Sequence, residues 1–361
     1  MSVKQYVALS PQTTRSALDG SPAYMFYPVK GKLEPDPEYK EEAVKEWRGQ
    51  DTAQGDVSDD RTSTAWKYSL EGRVYPGTEL TLLIRRLLGK SDVSVALVAP
   101  NAAAFRTVFQ TASEMYGDGS ENMDSAIAIV PNTAKGLATY SQAYIGGRPT
   151  GAEFSFKGGE AADLKMSFIG GPWIEAVGQT AIPGVSFPAA KAFKSVPKVY
   201  LGSGATLTGT APNYSDFVSN TMAAVKPDDL TIKFDSGIED VYKMNGVEGP
   251  SVTERKKQWG VSIEYTHDFA DPSSGWSSYD AWAARFDDIQ YAPCMIVLDS
   301  TEIIPSCSTQ TYQLAVYLPK VKITVEQPDR KNDGSKTKIK VKLDSRIDPA
   351  VNVAAYVKLI A

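Results

Sequence analysis

From Thr64 to Gly89 the chain reads TAWKYSLEGRVYPGTELTLLIRRLLG, and the reading of the fold turns on that stretch. Trp66, Tyr68 and Leu70 alternate with Lys67, Ser69 and Glu71, the period of two that sets one face of a strand in a core and the other in water. Pro76-Gly77 breaks the strand. Thr78 is then placed to cap a helix, and Leu80, Leu83, Ile84, Leu87 and Leu88 fall on one helical face before Gly89 ends it.

The same order returns downstream. Trp259, Val261, Ile263 and Tyr265 alternate with Gly260, Ser262 and Glu264, and Asp271-Pro272 breaks the run. Ser277 or Ser278 is placed to cap a second helix carrying Tyr279, Trp282, Ala283 and Phe286 on one face. The chain therefore reads as a duplication of pattern. Trp66 and Trp259 are offset differently from Phe154 and Ile323, so insertions separate the halves. The competing reading is two unrelated β-rich domains with a shared texture.

Residues 1–40 are rich in Pro, Ser, Thr and charge around Tyr24, Phe26 and Tyr27. They read as an N-terminal arm that reaches a neighbour or wraps its own domain. Glu41 to Trp47 fits a short strand or helical turn, and Arg48 to Thr62 a polar loop with Asp51, Asp56, Asp59 and Asp60. Val93 to Val98 reads as β. Asn101 is placed to cap a helix with Phe105, Val108, Phe109, Ala112 and Met115 on its apolar face, ended by Gly117-Asp118-Gly119. Strands are expected at Ala126–Val130, Ala138–Ile145, Ala152–Phe156 and Leu164–Phe168, the last two joined around Lys157-Gly158-Gly159.

Gly170 to Asp229 is dense in Gly and Pro and reads as a connector, with strand pieces at Tyr200-Leu201 and Ala205-Thr206-Leu207 as an edge or flap. Strands follow at Thr231–Phe234 and Val241–Met244, then a polar loop at Glu248–Lys257. The chain closes on alternating runs at Tyr312–Leu318, Val321–Val325 and, past Asn332-Asp333-Gly334, Ile339–Leu343. The fold expected is mainly β (α+β): an arm at 1–40, a first domain at 41–175, a connector at 176–229 and a second domain at 230–361. Each domain is a β-sandwich or β-barrel flanked by a helix.

A chain of 361 residues is long enough for two cores. A net charge of -5 argues against gripping nucleic acid through overall charge, which takes clustered Lys and Arg. The two cysteines, Cys294 and Cys307, lack Cys-x-x-Cys spacing, which excludes a zinc ribbon or redox motif and leaves a disulfide between them open. No apolar run approaches the length of about eighteen residues that spans a bilayer. Met1 to Gly20 lacks the apolar segment of a secretory signal, so a cytosolic origin is expected.

Chemical motifs are few. Gly89-Lys90-Ser91 has Ile84 where a phosphate-binding loop needs its first glycine, and Gly202-Ser203-Gly204 lacks the third glycine and leading strand of a dinucleotide fingerprint. His267 beside Asp268 reads as a solvated strand-end pair. One histidine and no cysteine cluster exclude a nitrogen-sulfur metal site, although carboxylates suit a hard ion. Asp235, Glu239 and Asp240, or Asp287 and Asp288 near Trp282, supply the acids of a glycosidase, but acids at turns and helix ends are the simpler account. No catalytic, cofactor-binding or metal residue is assigned, and no enzyme is expected.

Lys336, Lys338, Lys340 and Lys342 put like charges on one strand face, either solvated or meeting a neighbour. The acidic loop and the Arg255-Lys256-Lys257 loop carry opposite signs. Asp51, Asp56, Asp59, Asp60, Arg61, Glu254, Arg255, Lys256 and Lys257 are accordingly the candidate contacts for stacking one copy on another.

The strand and helix from Trp66 to Gly89, with Glu71-Gly72 and the Leu80 to Leu88 face, resemble the major tail tube proteins of long-tailed, non-contractile bacteriophages. Leu230-Thr231-Ile232-Lys233-Phe234-Asp235-Ser236-Gly237-Ile238-Glu239 is similar to that family's strand and turn before its long loop. The resemblance implies rings of self-associating β-sandwiches, here three double-domain copies forming a pseudo-hexamer. It implies that loops Arg48–Thr62 and Asn245–Lys257 reach the next ring while residues 1–40 and Ile347–Ala361 stitch neighbours. It further implies a virion tail location after assembly in the host cytoplasm, no cofactor, and partners in the tape measure protein and tail terminator. DNA would pass through the lumen without sequence-specific contact, repelled by an acidic wall. Two other classes stay open: another self-assembling virion or surface-layer β protein, and a carbohydrate-binding β-sandwich using Trp276, Tyr279 and Trp282. Their shared helical face favours a core role for those three aromatics.

Overall fold

The computed structural model describes residues 6–13, 17–19, 23–45, 57–89, 93–111, 127–131, 141–171, 174–177, 190–241, 252–255, 257, 259–270, 275–286, 288–329 and 336–361. The protein is mainly β. The chain begins with β1 (Tyr6–Pro11), β2 (Met25–Pro28), β3 (Asp36–Lys45) and β4 (Val57–Arg73), then α1 (Thr78–Leu88). β5 (Val93–Ala96), β6 (Phe105–Gln110), β7 (Ile127–Pro131), β8 (Ser141–Lys157), β9 (Asp163–Gly170) and β10 (Ile174–Val177) follow. The middle supplies β11 (Lys198–Leu201), β12 (Thr206–Thr210), β13 (Asn213–Val218) and β14 (Ala223–Val225). Then come β15 (Asp229–Asp235), β16 (Ile238–Val241), β17 (Val252–Arg255), β18 (Gly260–Asp268) and α2 (Ser278–Ala284). β19 (Tyr291–Ile303), β20 (Thr311–Val325), β21 (Lys338–Ser345) and β22 (Tyr356–Ile360) complete it.

The alternation in β4 holds: Trp66, Tyr68 and Leu70 are buried and Lys67 is exposed. Trp66 is wedged where Gly147 and Gly170 leave room, since a Cβ on either would come within 2.5 or 2.1 Å of its ring. Its Nε1 donates to Ile145 O at 3.2 Å. In α1, Leu80, Leu82, Leu83, Ile84, Leu87 and Leu88 are buried, each contributing about 2 kcal/mol of transfer free energy. The helix does not start as expected. Gly77, not Thr78, is the N-cap, and no side chain caps it, because the Pro76-Gly77 turn already delivers the chain one residue earlier. Gly89 does end it, in the left-handed conformation (φ 72°), its N–H donating to Arg85 O at 3.0 Å.

Seven antiparallel strands run in the order β4–β9–β8–β15–β18–β21–β20. The β8–β15 pairing carries this sheet from residues of the first half to residues of the second. Ile84 and Leu87 of α1 fill the space between Phe154, Phe156, Ile232 and Phe234 of the sheet and Ile296, Leu298, Leu314, Val316 and Val357 behind, leaving a gap of only about 10 Å³. One core cluster thus holds residues of both halves.

Several expected elements are redrawn. Phe105–Gln110 is a strand and not a helix; Val108 and Phe109 bury in succession because β6 has apolar neighbours on both faces. Ala112, Met115 and Gly117 to Gly119 lie outside the described residues. Asn101, expected as a helix cap, instead accepts from Ser308 N (3.1 Å) and Thr309 N (3.3 Å). The two strands expected at 138–156 are one, β8, which turns at Gly146 (φ 73°) and shifts register between Pro149 and Gly151. Likewise Tyr312–Leu318 and Val321–Val325 are one strand, β20, carried through Pro319. The hairpin at Lys157-Gly158-Gly159 is as expected.

Residues 6–11 and 25–28 are not a free arm. β1 pairs with β2 and β7, and Lys30 N donates to Glu71 O at 2.7 Å, so this segment wraps its own domain. The C-terminal stretch does not reach outward either. Every residue of β22 is buried, held between β20 and β6, because its unbroken apolar run needs cover on both faces. The connector supplies β11 and β14 to the sheet through β19, and β12–β13 forms a separate flap.

Candidate functional surface

The seven-stranded sheet has two unlike faces. Behind lies the apolar core; in front lies a field of charge set by strand alternation and register. Across the strands, Glu71 stands opposite Lys165, Lys165 opposite Glu153, and Glu153 opposite Lys233. The row continues through Ser262 and Asp344 to Lys322. Signs alternate along most of it. Lys165 Nζ lies 2.7 Å from Glu71 Oε1, and Lys233 Nζ 3.7 Å from Glu153 Oε2. The hydrogen bond to Glu71 holds the Lys165 ammonium pKa above its ordinary value.

The four-lysine stripe belongs to this face, and each member meets a carboxylate of its own chain. Lys336 pairs with Asp268 at 3.0 Å, Lys338 with Asp228 at 2.8 Å, Lys340 with Glu264 at 3.3 Å and Lys342 with Asp344 at 3.4 Å. Lys336 donates to Asp268 and lowers its pKa. The face is therefore charged but self-neutralised, and it is not the acidic wall expected from net charge.

The stacking candidates fall in two hairpins. Asp51, Asp56 and Lys256 lie outside the described residues. Asp59, Asp60 and Arg61 are in β4, opposite Ala43, Glu42 and Glu41 of β3. What reads as a polar loop from Arg48 is thus, from Val57 onward, a β-ribbon, since backbone ladder bonds do not require apolar side chains. Glu254 and Arg255 are in β17, opposite Glu239 and Ile238 of β16, so part of the second expected loop is also paired. Lys257 is exposed, with Nζ 3.6 Å from Glu239 Oε1. The structure builds each group into its own hairpin and does not merge the two into one site.

The acids considered for catalysis serve local structure. Asp235 accepts from Gly237 N at 2.9 Å and Asp288 from Ile289 N at 2.6 Å. Asp287 lies outside the described residues. His267 Nδ1 lies 2.9 Å from Lys226 O. Among the described residues no three His, Cys, Asp or Glu side chains gather as a metal site. Cys294 and Cys307 are free thiols, and burial pushes the Cys294 pKa up to about 12.

Helix α2 begins with Ser277, whose side chain accepts from Asp280 N at 3.1 Å. Its buried positions are Ser278 and Ala281, not the expected aromatic face; Tyr279 is 47% and Phe286 76% exposed. A helix this short covers the sheet with small residues and leaves the bulky ones at its rim. The Arg285 guanidinium sits 4.2 Å from the Trp282 ring and 4.0 Å from Phe286, occupying aromatic surface that a sugar would need.

A buried ion cluster ties the flap to the main body. Lys358 Nζ lies 3.0 Å from Asp216 Oδ1 and donates to Phe217 O at 2.7 Å, and Arg106 Nη1 lies 2.6 Å from Asp216 Oδ2. Burial lowers the Lys358 pKa by more than Asp216 raises it. Sequence reading missed this cluster. Lys358, a lone charge inside an apolar run, was the available signal.

No protein-family model matches the chain, and no curated protein is similar to it in sequence. No helix among the described residues is long and apolar enough to cross a membrane.

Proposed function

We propose that this chain is a structural protein whose copies close into rings and stack as the hollow tail tube of a long-tailed bacteriophage. The observation that carries the proposal is the seven-stranded sheet with one face packed on α1 and the other bare and charge-paired. A sheet that continues from copy to copy must curve if it is to close. The layers behind it take up space, so the bulky side goes outside and the bare face inside. On this reading the charged face lines a lumen.

Such a lining suits the passage of DNA. Affinity for a polyanion comes from Lys and Arg releasing the counterions of phosphate. Here those cations already have carboxylate partners, so the wall offers little grip, and this replaces simple repulsion as the account of smooth transit. The hairpins β3–β4 and β16–β17 project as ring-to-ring contacts. Partners are copies of the same chain, with a tape measure protein and a tail terminator at the tube's interior and end.

Negative-stain electron microscopy of the purified protein over a range of concentration and temperature tests this. Hollow rings or tubes with threefold or pseudo-sixfold end views are the expected result. A chain that stays monomeric in every condition overturns it.

A further inference from the structure

A ring built from one kind of chain by head-to-tail contact needs two different surfaces that fit each other. The sheet ends in two different ways. At one end, β3 pairs with β4 over Asp36 to Lys45, and among the described residues no strand is paired to its other edge. At the opposite end, β20 is left partly uncovered. Its β21 side is paired as far as Val325, but β19 leaves the other side after Tyr291 opposite Lys322, and Ile323 N then donates to Gln290 O at 3.0 Å.

Past that bond lies a groove of about 510 Å³ between α2 and the strand edge, lined by Arg285, Phe286, Ile289, Lys322, Thr324 and Val325 among others. Its rim is apolar. Phe286 is 76%, Ile289 54% and the adjacent Tyr291 48% exposed.

We infer that this groove receives β3 of a second copy, laid beside Thr324 and Val325 as the next strand of the sheet. The inference rests on the tube reading and specifies its ring contact. An edge strand and an open strand edge supply complementary backbone groups, the main source of affinity when one chain adds a strand to another. The apolar rim supplies the area that a neighbour covers. Charge agrees as well: β3 reads DPEYKEEAVK, with Asp36, Glu38, Glu41 and Glu42 against Lys40 and Lys45, and the groove presents Arg285 and Lys322 with Asp288 between them. Adding β3 here also carries the charged face unbroken from one copy to the next.

Cross-linking tests the contact. In a Cys307→Ser background, where Cys294 stays buried, Glu42→Cys and Ile289→Cys are made as separate proteins and mixed under mild oxidation, with assembly followed by sedimentation. A disulfide dimer in the mixture, and in neither protein alone, is expected. In parallel, Phe286→Asp should raise the concentration needed for assembly by at least about tenfold, with the monomer's circular dichroism unchanged because the side chain is exposed. If the parent assembles, the mixture stays uncross-linked and Phe286→Asp assembles normally, the contact is overturned while the tube reading stands. A dimer of Ile289→Cys alone marks a two-fold contact and also overturns it. Absence of any assembly by the parent overturns both.

Discussion

Trp66 shows how tightly single positions are set. Its ring occupies space that only glycine leaves at 147 and 170, so Gly170→Ala forces the ring or the strand to move. We expect a loss of roughly 2 kcal/mol, read as a lower urea midpoint with unchanged slope. The ion cluster at Lys358 gives a second test. Asp216→Ala leaves Lys358 and Arg106 near each other without their carboxylate and should cost about 3 kcal/mol. Lys358→Met leaves the Arg106–Asp216 pair intact and should cost much less; equal losses on thermal melting would refute this ordering. Asp299 supplies a pH dependence. Burial raises its pKa, but hydrogen bonds from Lys198 and Gln313 outweigh that and hold it below the ordinary 3.8. The folded state therefore binds fewer protons than the unfolded state between that lowered value and 3.8. The stabilisation is complete above 3.8 and is lost as pH falls through the folded pKa. Asp299→Asn should lose roughly 1 kcal/mol at neutral pH and show a shallower decline in urea melts taken from pH 7 down to pH 3.

At the scale of elements, the helix from Leu80 to Leu88 and the strands led by Trp66 and Trp259 were legible because each carries one unambiguous period. The strand at Phe105 was not. Phe105, Val108 and Phe109 fit a helical face, and only the cover on both sides of β6 makes a strand of them. Breaks also misled. Gly146 and Pro319 read as strand ends, yet each is absorbed within a longer ladder, by a bend in one case and a change of partner strand in the other. The charged face was half legible. Alternation placed Lys and Glu outward strand by strand, but which Lys meets which Glu depends on register between distant segments, and the sequence carries no local sign of that. The β3–β4 hairpin has its own test. Asp59→Lys with Asp60→Lys should leave circular dichroism unchanged and still permit rings, but shorten or abolish tubes in electron micrographs. Long tubes from this variant would remove the hairpin from the stacking contact.

For the whole molecule, the self-neutralised face predicts how the protein treats DNA. The parent should show no gel shift at physiological salt. Glu71→Gln, Glu153→Gln and Glu264→Gln together deprive Lys165, Lys233 and Lys340 of partners. This variant should retain DNA at low salt and release it as salt rises, with a slope set by about three phosphate contacts. Unchanged behaviour would show that pairing is not what keeps the face inert. A different consequence follows from the placement of β22. Thr111 Oγ1, just past β6, accepts from Ala354 N across 243 residues of chain. At a synthesis rate of about 5–20 residues per second, that partner emerges on the order of ten seconds or more after the strand it completes. For all that time the nascent sheet has a gap at its centre and a row of unsatisfied backbone groups beside it. Soluble yield in the cell is therefore governed by the ribosome's pace and by whichever chaperone shelters the gap.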